Sequence, residues 1–150
     1  MKLMKHRSLA DARCPIARSL DLVGEWWSIL ILRDAFRGVR RFDDFQSSLG
    51  IARNLLSRRL KRLVAAGLLE TRPYSARPPR HEYRLTEMGR DLYPVLMTLL
   101  QWGTRWAPRA DSAMAVSRRT GAPLDPLLVD RATGEPITPA SVTMAYPASA

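Results

Sequence analysis

Residues 53–61 carry the pattern in this chain that is richest in chemistry. At 100° per residue, Arg53, Asn54, Ser57, Arg58 and Lys61 share one helical sector of about 140°. That sector holds three cations, an amide and a hydroxyl, and no acidic residue. Ordinary solvent-facing helices mix both signs of charge. A guanidinium can grip guanine through two hydrogen bonds, an amide can do the same for adenine, and an ammonium suits phosphate. Reading of a nucleic-acid groove is therefore favoured over a plain amphipathic surface. Leu55, Leu56 and Leu63 fall on the opposite side, toward a core. Arg59 projects to that apolar side, at about 240° on the same wheel. Its stem is expected to be buried and its charge paired with Asp43 or Asp44.

A second basic group lies among prolines. Arg72, Tyr74, Arg77 and Arg80 are interleaved with Pro73, Pro78 and Pro79. Arginines on a stiff loop can enter a minor groove or hold flanking phosphates at low entropic cost. Arg40 and Arg41 add candidate contacts to the phosphate backbone. Trp26 and Trp27 are candidate walls of an effector pocket between helices. The single cysteine, Cys14, excludes an internal disulfide and fits a reducing compartment. The two histidines, His6 and His81, belong to no HExxH motif, and neither a phosphate-binding glycine loop nor a serine nucleophile elbow is present. Catalysis, a metal and a cofactor are accordingly not expected.

The elements that must position these residues follow from periodicity and punctuation. Pro15 opens a helix through Val23 that stops near Gly24. A second, Glu25 to Phe36, is apolar almost all round and should form the buried centre. Phe42, Phe45 and Leu49 make one apolar stripe on a short third helix, and Asp43 and Asp44 suit its first turn. Gly50 then supplies a turn into Arg53–Ala66, which Gly67 stops. Two short helices joined in this way form a helix-turn-helix candidate. Strands are expected at 68–72 and 81–85, with 73–80 irregular because proline donates nothing to a ladder. Thr86 should cap a long last helix reaching Trp106, kinked by Pro94. Leu92, Leu96, Leu99, Leu100, Trp102 and Trp106 give that helix more apolar surface than one small domain needs.

The expected organisation is an N-terminal arm (1–13), a helix-turn-helix domain (14–107) and a tail (108–150). In the tail, 127–129 and 136–138 could pair around 130–135; the remainder reads as flexible, and no internal repeat is evident. The fold class is mainly α with a small β-hairpin wing (α+β).

Composition bounds the partners. The chain has 150 residues, 46% of them hydrophobic, and a net charge of +10. Residues 33–84 hold 13 Lys/Arg against 5 Asp/Glu, so nearly all the excess is concentrated there. Such a focus attracts a polyanion through counterion release. The aliphatic run Ile29–Leu32 is far too short to cross a membrane. The basic start, Met1–Arg7, precedes no apolar run of the signal-peptide kind. A cytoplasmic location without a membrane partner is expected.

Several stretches, taken in order, resemble the HxlR-type family of winged helix-turn-helix transcriptional regulators, relatives of the MarR proteins. They are Cys14-Pro15-Ile16-Ala17-Arg18, Gly24-Glu25-Trp26-Trp27, Ile31-Leu32-Arg33-Asp34 with Arg41-Phe42, and Ile51 through Leu60. Ala66-Gly67-Leu68-Leu69 and Tyr83 through Arg90 complete the match. The resemblance implies a homodimer built by the N- and C-terminal helices, with one recognition helix on each half-site of a two-fold-related double-stranded DNA operator. It also implies that Cys14 occupies a position used by some members as a thiol sensor of oxidants or electrophiles. A small-molecule or oxidant effector is thus an expected partner. Some relatives carry cysteines in a zinc-ribbon-like C-terminal hairpin. Here Thr133-Gly134-Glu135-Pro136 keeps the turn without ligands, so metal is not expected there. Two rivals stay open: a nonspecific architectural nucleic-acid binder, and a winged-helix module for protein–protein interaction.

Overall fold

The computed structural model describes residues 8–145; the basic start Met1–Arg7 with His6, and residues 146–150 of the tail, lie outside the described residues. Pro15, whose fixed φ suits a first helical position, opens α1 (Pro15–Val23). Glu25 caps α2 (Trp26–Phe36) by accepting the Ser28 N–H, and Ile31 and Leu32 at the middle of α2 are fully buried. α3 (Phe42–Leu49) carries Asp43 and Asp44 in its first turn and ends at Gly50, whose φ of 61° is left-handed. A Cβ would be strained there, which is why glycine makes this turn. α4 (Arg53–Ala65) follows.

These helices close on one interior. Phe45 of α3 and Leu56, Leu60 and Leu63 of α4 meet Ile31 and Leu32 of α2, with Leu68 and Leu69 beneath. Ile51, in the turn between α3 and α4, is also buried and so fixes the angle between the two helices. Asp34 is buried as well. Its carboxylate accepts Arg33 Nε at 2.9 Å and Ser48 Oγ at 2.6 Å, tying the end of α2 to α3. Those partners offset the cost of removing the charge from water.

The hairpin is longer than its prolines imply. β1 (Leu69–Ala76) pairs antiparallel with β2 (Pro79–Leu85), leaving only Arg77 and Pro78 to turn. Residues 73–80 are therefore mostly strand and not the expected irregular loop. A two-stranded ribbon turns alternate N–H groups outward, so edge prolines need remove no ladder bond. A register shift between Pro73 and Ser75 absorbs Tyr74.

The expected single kinked helix is instead two. Thr86 caps α5 (Glu87–Arg90) by accepting the Gly89 N–H, and α6 (Tyr93–Trp106) starts afresh. Proline has no N–H for the carbonyl four residues back and clashes with it. Pro94 consequently sits in the first turn of a new helix, where no N–H is required.

Two compact units result, one ending at Leu96 and one beginning at Met97. The division lies within α6, ahead of the 107/108 boundary drawn from composition; Leu96 is the last buried apolar residue among those described.

The second unit contains an internal repeat that composition alone obscures. Val116-Ser117-Arg118-Arg119-Thr120-Gly121-Ala122-Pro123 and Val129-Asp130-Arg131-Ala132-Thr133-Gly134-Glu135-Pro136 form the same turn twice. Val116 bridges Pro123, and Val129 bridges Pro136. Gly121 and Gly134 have φ of 71° and 73°. Each donates its N–H to the carbonyl four residues earlier, at Ser117 and Asp130. Ser117 Oγ accepts the Arg119 and Thr120 N–H groups, as Asp130 Oδ1 accepts those of Ala132 and Thr133. Only five positions of the eight match, so the repeat is faint in sequence and plain in hydrogen bonding. The hairpin expected around 130–135 is one of these two bridged turns.

Candidate nucleic-acid interface

α4 meets the interior through Leu56, Leu60 and Leu63, which leaves its polar face outward. Arg53, Asn54, Arg58 and Lys61 are exposed, whereas Ser57 is half-buried. Ser57 borders Leu60, a core residue absent from the wheel reading that limits the open sector on that side. Arg58 and Lys61 form no ion pair among the described residues. Arg53 is less free: its guanidinium stacks over Phe42 at 4.7 Å and reaches Asp43 at 3.4 Å. Arg62 also lies on the exposed side, but it donates to the Asp21 carbonyl of α1 at 2.5 Å and so acts as a brace.

The pairing expected for Arg59 is corrected. Its partner is Glu25, at 3.1 Å from Nε, and not Asp43 or Asp44. The two side chains are 24% and 27% exposed. Asp43 and Asp44 point to solvent at the start of α3, while the Glu25 carboxylate is already held at the start of α2 by Ser28. Arg59 thus anchors the middle of α4 to the first turn of α2.

The wing separates its arginines into two kinds. Arg72 and Arg84 are neutralised by Glu70 and Glu82 two residues away on the same strand face, at 2.7 and 2.5 Å. Arg77 and Arg80, at the turn, are exposed with no ion pair among the described residues. The segment ahead of α3 is fastened to this ribbon: the Arg40 carbonyl accepts the Tyr83 N–H at 2.8 Å, and the Arg41 guanidinium lies 4.6 Å from the Tyr74 ring. Tyr83 packs edge-on against Phe45 at 6.4 Å, and burial pushes its phenol above the usual tyrosine range. Arg40, Arg41, Arg77, Arg80 and the α4 cations therefore all belong to the first unit, on elements tied to one core. An exposed set of cations with few acidic neighbours can neutralise phosphates along a duplex.

Cys14 is half-buried ahead of α1 and makes no side-chain cap bond. Arg18 donates to the carbonyls of Ala12 and Arg13 just before it, at 2.7 and 3.0 Å. Trp26 and Trp27 lean on each other at 4.7 Å, with Trp26 largely exposed. Leu92 packs on the core and Leu96 is buried, whereas Leu99, Leu100, Trp102 and Trp106 are exposed. His81 sits opposite Pro73 in the ribbon. Among the described residues no His/Cys/Asp/Glu group could hold a metal ion, and no helix is long and apolar enough to cross a membrane.

Comparison with known proteins gives the same picture. The family model described as HxlR-like helix-turn-helix matches residues 22–111. Rv3095 of Mycobacterium tuberculosis, an uncharacterized HTH-type transcriptional regulator, is 48% identical over 130 residues, covering 85% of this chain and 82% of its own length. The crystal structure of PA1607 shares 40% identity at a TM-score of 0.83, over 93% of this chain and 99% of that one. PA1374 from Pseudomonas aeruginosa shares 50% identity at a TM-score of 0.66, over 91% and 95%.

Proposed function

Because the chain belongs to the HxlR-like helix-turn-helix family of DNA-binding transcriptional regulators, we propose that it is a cytoplasmic homodimeric repressor of a two-fold-related operator. Asn54 and Arg58 read base edges in the major groove, Ser57 supports them, and Lys61 holds a phosphate. Arg53, leaning on Phe42, contacts the groove wall. Arg77 and Arg80 act from the wing on phosphates that flank the minor groove, and Arg40 and Arg41 take further backbone phosphates. The activity proposed is binding, without catalysis, metal or membrane. Repression then requires only that the bound dimer cover its operator.

The observation that carries this reading is the acid-free, exposed face of α4 on a helix whose other face is locked into the core. Exposed apolar side chains on α1 (Ile16, Leu20) and on α6 (Leu99, Trp102, Trp106) support dimerisation, since such surface is costly to leave in water. Cys14, partly accessible ahead of a helix, is the proposed point of response to an oxidant.

Fluorescence anisotropy on DNA from the protein's own upstream region, at several salt concentrations, tests the proposal. Binding should weaken steeply with salt. A site should be preferred over competitor DNA by about 10³-fold or more, whereas an architectural binder would show no preference. Arg58→Glu with Lys61→Glu should abolish binding. Indifference to salt and to that double reversal would sink the reading and favour a protein-interaction module.

A further inference from the structure

Residues 40–42 join the two elements that carry the duplex-facing cations. β2 holds this segment through its backbone, since the Tyr83 N–H donates to the Arg40 carbonyl at 2.8 Å. β1 holds it through a side chain: the Arg41 guanidinium lies over the Tyr74 ring, 4.6 Å from its centre. The next residue, Phe42, is covered in the same way by Arg53 of α4, at 4.7 Å. The wing and α4 are thus both fastened to the start of α3 by an arginine stacked on a ring.

The hairpin is shaped to deliver the Tyr74 ring. Its pairing runs from Leu69 opposite Leu85 to Pro73 opposite His81, resumes at Ser75 opposite Arg80, and leaves Tyr74 without a partner in the ladder. A bulged residue departs from the alternation of a strand and re-aims its side chain. Here the side chain is aimed at Arg41. Arg41 forms no ion pair among the described residues: Asp43 is taken by Arg53, and Asp44 stands open to solvent.

Stacking and hydrogen bonding use different parts of a guanidinium. A ring takes its face, while its N–H donors point outward in its plane. A guanidinium laid on a ring therefore keeps its donors for a phosphate. It has also surrendered part of the rotamer freedom that a loose arginine would lose on binding.

We propose that Tyr74 is a positioning residue for DNA binding, holding Arg41 in the pose in which its guanidinium grips a backbone phosphate. The inference rests on the reading of Arg41 as a phosphate contact and adds a residue that acts only through it. The ring is what matters; the hydroxyl has no part.

A double-mutant cycle over Tyr74 and Arg41 tests the pairing. The contact is to phosphate, so anisotropy on a mixed-sequence duplex at low salt serves as the assay. Arg41→Gln should flatten the dependence of log K on log salt by about one per bound chain. Tyr74→Leu should weaken binding about three-fold per bound chain, and Tyr74→Phe should retain it. In the Arg41→Gln background, Tyr74→Leu should cost nothing further. Nuclear magnetic resonance on the free chain gives a readout without DNA: the ring should move the Arg41 Nε–H proton upfield, and Tyr74→Leu should return it. Additive losses would overturn the proposal, because Tyr74 would then act on the fold or the duplex directly. So would equal losses from Tyr74→Phe and Tyr74→Leu, an unchanged salt slope in Arg41→Gln, or an unshifted proton in the free chain. All of these outcomes leave DNA binding by the unaltered chain in place. Failure of that chain to bind any duplex would instead remove the DNA-binding reading, and this inference with it.

Discussion

An arginine's contribution here depends less on its place in the sequence than on which carboxylate it meets after folding. Arg58 stands free on α4, whereas Arg72 is neutralised by Glu70. Arg58→Ala is expected to cost about 1–3 kcal/mol of operator binding per half-site and to relax sequence preference at one position in each half-site. Arg72→Ala should change affinity by far less. Measuring both by anisotropy separates a base-reading cation from a strand-bound one, and equal losses would count against this assignment. Asp34 matters in the other sense: it is a buried charge satisfied by Arg33 and Ser48. Asp34→Ala should lower stability by about 2 kcal/mol, visible as an earlier urea midpoint, because those partners lose their acceptor.

At the level of elements, α4 is held at three places and is free along one face. Leu56, Leu60 and Leu63 fix its inner side, Arg59 ties it to α2, and Arg62 braces α1. A helix so constrained meets a groove with little entropy left to lose, which favours specific contacts. The wing is fastened through Tyr83 to Arg40, but its tip carries only Arg77 and Arg80 as unpaired charges. Replacing both by Ala removes four cations from a bound dimer and should flatten the dependence of log K on log salt by about four, with the site preference largely kept. A full loss of site preference would mean that the wing reads bases and does more than hold phosphates. The ribbon's length also explains this placement, since pairing up to Ala76 and Pro79 carries the two arginines to its end.

At the scale of the whole molecule, the charge and the apolar surface point to different partners. The basic excess of residues 33–84 faces a polyanion, while the apolar side chains of α1 and α6 need cover. Sedimentation velocity should find a dimer at micromolar concentration. Ile16→Glu and Leu99→Glu should each shift it toward monomer and weaken operator binding, because half-site affinity alone lacks the gain from linking two sites. A monomer that binds its operator as tightly as the unaltered chain would remove dimerisation from the proposed mechanism.

How much was legible in the sequence differs from element to element. Helical periodicity identified the exposed face of α4 and the core role of α2, because side chains repeat every 3.6 residues whatever lies beyond. Glycine and proline marked the turn at Gly50 and the start at Pro15 for equally local reasons. Proline was also where local reading misled: Pro94 broke a helix that it was expected to bend, and Pro73 and Pro79 were accommodated in a ribbon they were expected to interrupt. The repeated turns of the tail needed their shared hydrogen bonds to become visible. By itself the sequence determined the helix-turn-helix, its cationic face and the family. The choice of Glu25 for Arg59 and the brace from Arg62 to the Asp21 carbonyl were decided only by tertiary structure, because each joins groups whose meeting depends on how separate segments pack.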